Sequence, residues 1–320
     1  MQLFLHCDDA ALPHLSDARG QLWRDRLDCP TPARLAAFEA AVRRRDITWH
    51  ALPFDAQPEL LDASLFKWSI TNITHELDRR FDLPPKQVLS QRDVPGMSRG
   101  VVPALAAVGG LGVQVGVNTN SAPPAVPGVA ATAAGAPARA FIWRDEASGK
   151  EVLASWHAGG YGGHGGQNIY ALTEAGNCIV VEGFDEALCQ SWMGDNAGPP
   201  PGKGSLPLDV EQGVTIVSAH WRAYRWMFPE ATSIAGSSFE PFFAALNASA
   251  ARESLPVFTG ETGDTWVYGV ASDPYKVAAL RMMQRVRTAC IAAPADASCQ
   301  ATPAHMARFN EKLFLLSKHT

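Results

Sequence analysis

Six short apolar runs in this chain are each followed by a cluster of polar, aromatic or glycine residues. The clusters are Trp49-His50, Arg92-Asp93, Asn118 to Asn120, Trp156-His157, Asp195-Asn196, and Glu261 with Asp264 and Trp266. Taken singly, each is satisfied as a helix cap or a turn. Repeated in one register, they constrain the fold. Helical patterns alternate with the strand-like runs, and such alternation implies an α/β protein with a parallel sheet, open or closed into a barrel. In either form, ligands bind at the carboxyl ends of the strands.

The alternation can be followed along the chain. Leu35, Phe38 and Val42 fall at helical spacing within Pro32–Arg45, and Ile47–Leu52 reads as a short buried strand. Asp62 is a suitable N-cap for a helix running to Arg80, which Pro84-Pro85 stops. Lys86–Ser90 is the next expected strand, Val101–Val108 a helix closed by Gly109-Gly110, and Leu111–Val117 a strand. Ala140–Arg144 and Glu151–His157 read as a hairpin around Ser148-Gly149. Helices are expected over 276–291 and 309–316. Residues 1–32 form an irregular arm, 33–320 one β/α domain, and 125–140 an Ala/Gly/Pro-rich insertion.

Composition narrows the function. A net charge of −5 and a pI near 6.0 provide no basic field to hold nucleic acid. No apolar run is long enough to span a bilayer, and the amino end is too short and too acidic for a signal peptide. The default expectation is a soluble cytoplasmic protein. No two of the six cysteines form a C-x-x-C pair. Cys290 and Cys299 flank a short loop, where a disulfide and two isolated thiols fit equally well.

The clusters suit carbohydrate. Aromatic faces such as Trp49, Trp156, Tyr161 and Trp266 stack on sugar rings, and His50, Arg92, Arg99, Asn118, His157, Asp195 and Asn196 supply hydrogen bonds. Paired carboxylates serve glycoside cleavage as nucleophile and acid/base, with Asp93, Glu261 and Asp264 as candidates. Asp93 stands out because Arg92 and Arg99 keep a nearby carboxylate ionised, which suits a nucleophile or a metal ligand; a structural Arg–Asp pair has the same sequence. His157 is a second candidate metal ligand beside Asp93. Gly96-Met97-Ser98-Arg99-Gly100 matches the G-x-S-x-G elbow of serine hydrolases, yet Val94-Pro95 interrupts the approach from the strand, which favours Ser98 as a plain helix cap.

An ordered set of segments carries a resemblance. It comprises Trp49-His50-Ala51-Leu52-Pro53-Phe54, Gln91-Arg92-Asp93-Val94-Pro95-Gly96-Met97, Trp143-Arg144-Asp145, Trp156-His157 with the glycines at 159–163, Gly194-Asp195-Asn196-Ala197-Gly198-Pro199 and Gly263-Asp264-Thr265-Trp266. In that order they resemble the family designated domain of unknown function 5054, itself similar to the catalytic domain of glycoside hydrolase family 38, the α-mannosidases. The resemblance implies a seven-stranded β/α barrel of the glycoside hydrolase/deacetylase type. It also implies that Asp93-Val94-Pro95-Gly96 corresponds to the stretch carrying the nucleophile, which in the mannosidases also binds zinc. The family's first-strand His-x-Asp has no counterpart here unless His6-Cys7-Asp8 stands in for it. The chain also stops before a Glu-His-Thr-Trp-Gly-like stretch, so the resemblance implies truncation at both ends.

Three functional expectations follow. The first is a retaining glycoside hydrolase-like protein using Asp93, with a divalent metal such as zinc as the possible cofactor and carbohydrate as the partner. The second is a non-catalytic relative that binds carbohydrate. The third is a serine esterase using Ser98.

Overall fold

A computed structural model describes residues 30–92, 94, 97–116, 140–157, 238–262, 273–296, 299 and 302–318. Two compact units are present. One comprises Met1–Trp49 and Glu76–Pro85, the other His50–His75 and Lys86–Thr320.

In the first unit, helix α1 (Pro32–Arg43) starts where the sequence predicts. Thr31 caps it by accepting from the Arg34 amide, and Pro32 occupies the first turn, where no N–H is required. Val42 is fully buried. Trp49 packs against Phe81, and its indole N–H donates to Asp78 at 2.9 Å. Arg43 and Arg80 each lie 5.8 Å from the Phe81 ring centroid, at cation–π distance.

In the second unit, Asp62 caps helix α2 (Ala63–Ser69) as expected. One carboxylate oxygen accepts from Ser64 and Leu65 at 2.9 and 2.8 Å. A π-helical turn, Ile70–Thr74, interrupts the expected continuous helix, and the helix α3 (His75–Arg80) that follows it in sequence belongs from Glu76 onward to the first unit. The bulge places the Thr74 hydroxyl on the Ala51 carbonyl at 2.7 Å, a buried bond that a regular turn would have to forgo. Strand β1 (Val88–Arg92), helix α4 (Val101–Ala106) and strand β2 (Gly112–Gly116) follow. Helix α4 closes at Gly109, whose φ of +78° is a conformation open to glycine. Strand β3 (Ala140–Asp145) turns into β4 (Lys150–His157), with Gly149 at φ +66° and Asp145 accepting from the Ser148 amide. Helix α5 (Phe239–Ala248), strand β5 (Val257–Phe258), helix α6 (Pro274–Ala292) and helix α7 (Pro303–Leu315) complete the described elements.

The sheet order is β1-β2-β4-β3-β5. β1, β2 and β4 are parallel, as the strand–helix alternation implies. The hairpin turn forces β3 antiparallel to β4, and β5 follows the direction of β3. Among the described residues the sheet is therefore mixed, the expected hairpin supplying its antiparallel pair.

Strand alternation feeds two apolar clusters. Leu89, Val113, Phe141, Trp143, Val152 and Ala154 join Leu65, Phe66, Val101, Leu105, Leu280, Leu313 and Phe314 on one face. Val88, Ala140, Ile142 and Leu153 meet Phe243 and Leu246 of α5 on the other. Each fully buried leucine or phenylalanine contributes roughly 1.5–3 kcal/mol, so both faces are substantial cores.

The expected strand at Ile47–Leu52 is not a strand. Ala51 donates one backbone bond to the Val88 carbonyl, and the chain then bends over 51–54. Pro53 fixes its own φ and offers no N–H for a ladder, so pairing beside β1 stops there.

Candidate functional site

The last described residues of the three parallel strands are in register. Arg92 of β1 pairs with Gly116 of β2, and Gly116 with His157 of β4. Arg92 and His157, both candidate site residues, thus lie in one row at the carboxyl edge. Trp156 lies one row back, in register with Val115 and Gln91. Asp93 follows Arg92 directly in sequence, but it lies outside the described residues, as do Asn118, Tyr161, Asp195, Asn196, Asp264 and Trp266.

His50 occupies a different position. Its ring stacks 5.0 Å from Phe239 at the start of α5. The next residue, Glu240, accepts from the Gln87 and Val88 amides at the amino end of β1. Ala51 is bonded to Val88 at that same end. His50 therefore sits by the amino end of β1, because 47–52 does not form the strand that would have carried it to the opposite edge. Trp49 belongs to the other unit, with its indole on Asp78.

Glu261 and Arg99 are brought together. The segment 97–99 presents three successive amides, each held by a side chain from a distant part of the chain. Met97 donates to the Thr262 hydroxyl at 2.9 Å, Ser98 to Glu59 at 2.7 Å, and Arg99 to Glu261. Thr262 also donates through its own hydroxyl and amide to the Met97 carbonyl. The Arg99 guanidinium pairs with Asp145 at 3.2 Å and donates to the Thr259 carbonyl at 2.5 Å. Because β5 runs opposite to β1, β2 and β4, residues 259–262 leave the sheet at the edge away from Arg92 and His157.

The electrostatics follow from these contacts. Burial raises the Glu59 carboxyl above the ordinary glutamate value; its own amide and that of Ser98 oppose the rise, and the Glu261 charge adds to it. Hydrogen bonds from Ser148 hold Asp145 below the usual aspartate range, and the Arg99 charge lowers it further. Two carboxylates on adjacent amides thus occupy different settings, since Glu59 is half-buried and Glu261 is exposed.

Ser98 stands six residues beyond the end of β1, so no strand runs directly into it as an elbow requires. It does not cap α4 through its side chain either. Gly100 is the N-cap, and Ser98 contributes its carbonyl to Val101. Among the described residues, no three His, Cys, Asp or Glu side chains are grouped to hold a metal, and no helix is long and apolar enough to cross a membrane. Cys290 and Cys299 form a disulfide.

Sequence reasoning passed over Glu59 and Thr262. Glu59 is a lone acid after Pro58 in a loop without periodicity, and Thr262 lies between two more conspicuous acids, Glu261 and Asp264. A sequence signal for either would require knowing which backbone amides between β1 and α4 lack partners.

No family model matches the chain, and no curated protein matches it. Among solved structures, an alpha-mannosidase from Enterococcus faecalis V583 is similar, with 12% identity and a TM-score of 0.45. The match covers 81% of this chain and 27% of that one, so the chain spans well under two thirds of the enzyme's length.

Proposed function

We propose that this chain is a glycoside hydrolase-like protein acting on carbohydrate, with Asp93 as the nucleophile of a retaining reaction. One observation carries the reading. Arg92, Gly116 and His157 of the parallel strands β1, β2 and β4 share one row toward the carboxyl edge, and Asp93 is the next residue after Arg92. Residues leaving the carboxyl edge of parallel strands are the usual source of a site in α/β folds. On this reading, the three strands are successive members of a β/α barrel of the seven-stranded type. The segments after them, with Asn118 and Tyr161, line the sugar site beside Trp156 and His157, and Asp195, Asn196 and Trp266 are further candidates for it.

In the reaction, the Asp93 carboxylate attacks the anomeric carbon while an acid protonates the departing glycosidic oxygen, giving a glycosyl ester. Water, deprotonated by the same residue as base, then cleaves the ester and restores Asp93. Asp264 and Glu261 are the acid/base candidates. Asp93 and His157 are the proposed donors for a divalent ion such as zinc, which would supply positive charge beside the sugar hydroxyls.

A second reading, carbohydrate binding without catalysis, is favoured by Glu261 itself. Its carboxylate is engaged by the Arg99 amide, and it leaves from the other edge of the sheet. A panel of aryl glycosides that includes α-mannosides separates the two readings. Hydrolysis by the wild type and its loss in Asp93→Asn support catalysis. Glycan binding without hydrolysis supports the second reading, and hydrolysis unchanged in Asp93→Asn excludes Asp93 as nucleophile.

A further inference from the structure

Glu59 belongs to no motif, yet the structure ties it to the segment that leaves β1 through Asp93. Its carboxylate accepts from Ser98, and the adjacent Arg99 amide goes to Glu261. Met97, one residue earlier, is bonded to Thr262 at both its amide and its carbonyl. Among the described residues, the cations around Glu59 are engaged elsewhere. Arg99 is directed at Asp145 and the Thr259 carbonyl. Arg281 donates to the backbone carbonyls of Glu59 and Leu60 and to Gln284. Glu59 therefore lies near Glu261 as a like charge while serving as an acceptor in a half-buried place. Backbone amides in such places need a partner, and a neutral amide oxygen would satisfy Ser98 as well as a carboxylate does.

We propose that Glu59 is a positioning residue, fixing residues 97–100, which lead into α4, through the Ser98 amide. The proposal rests on the reading of Asp93 as the nucleophile for its functional part alone; the structural part stands without it. What the position requires is the acceptor, and the negative charge is a liability. Burial and Glu261 both favour the neutral acid, in keeping with the raised Glu59 value. The charge thus costs stability as pH rises through that value.

The test compares Glu59→Gln and Glu59→Ala with the full wild-type chain by amide hydrogen exchange and thermal unfolding. Glu59→Ala should lower the protection of the Ser98 amide roughly tenfold or more, the scale of a lost hydrogen bond to a charged group. Glu59→Gln should keep that protection, unfold at a higher temperature than wild type at neutral pH, and lose the advantage as pH falls through the Glu59 value. Should Glu59→Ala not fold, the Gln variant decides alone. Ser98 protection lost in Glu59→Gln, or retained in Glu59→Ala, would overturn the proposal. On any glycoside whose hydrolysis depends on Asp93, Glu59→Ala should lower kcat more than it raises KM, and Glu59→Gln should restore it. Amide exchange needs no substrate, so failure of the Asp93 reading leaves a separate signature: no hydrolysis by any variant, with the exchange pattern intact.

Discussion

The Thr262 hydroxyl lies 2.9 Å from the Met97 amide and 2.8 Å from its carbonyl, closing a buried bond across 165 residues of sequence. This contact joins the segment after β1 to the segment after β5. Thr262→Val keeps the shape and removes the hydroxyl, leaving the buried Met97 amide without its partner. The expected loss of stability is about 1–3 kcal/mol. Thr262→Ser should recover most of it. Denaturant unfolding checks the pair, and a Val variant as stable as wild type would show that the contact does not hold the segments.

Gly112 opens β2 directly under the Phe243 ring, which a Cβ at this position would strike. Phe243 is fully buried in the smaller apolar cluster and cannot swing into solvent. Gly112→Ala should therefore cost about 1–3 kcal/mol, as overpacking of a core does. Combining it with Phe243→Leu should recover part of the loss in a double-mutant cycle.

Arg287 is 2% exposed and donates to Asn310 at 2.6 Å and to Ser64, with Asp62 at 3.7 Å. Burial lowers its pKa, and the Asp62 charge offsets part of that effect. Arg287→Ala leaves the buried Asn310 side chain without this donor, and a loss of about 1–3 kcal/mol is expected. Arg287→Met fills the volume and should cost less. Equal losses in the two variants would mean that packing, rather than the polar network, dominates.

Glu151 receives hydrogen bonds from Arg144 and, at 2.7 Å, from Arg252; these hold its carboxyl below the ordinary glutamate value. A lowered value gives stability that is present above the ordinary glutamate pKa and lost as pH falls through the lowered one. Glu151→Gln should therefore reduce the unfolding midpoint at neutral pH and flatten its acid decline. The slope is opposite in sign to that expected from Glu59. An acid decline unchanged in Glu151→Gln would show that this ion-paired carboxylate does not contribute to it.

Much of the fold was legible in residues whose roles are local. Thr31 and Asp62 as caps, Ser148-Gly149 as a hairpin turn, Gly109 as a helix stop and the period-2 pattern of β1, β2 and β4 all act within a few residues. What was not legible depends on distant partners. The Ile47–Leu52 run looks like a strand because it is apolar, but it does not form one, and Ala51 donates a bond to Val88 of β1. The direction of β5 follows from the β3–β4 hairpin rather than from anything in Val257-Phe258, so Glu261 could not be assigned to an edge from its own neighbourhood. The Cys290–Cys299 spacing allowed pairing without deciding it, and the structure forms the bond. Arg92 and His157 were legible as strand ends, and their common row adds the register that sequence lacks.

The most direct measurement of the central claim is covalent trapping. A 2-deoxy-2-fluoro glycosyl fluoride of a sugar that the protein hydrolyses slows breakdown of the glycosyl ester more than its formation. Peptide mass spectrometry after digestion should then find the sugar on the peptide containing Asp93, with the label absent in Asp93→Asn. A label on another residue, or one that persists in Asp93→Asn, would contradict the assignment of Asp93 as the nucleophile.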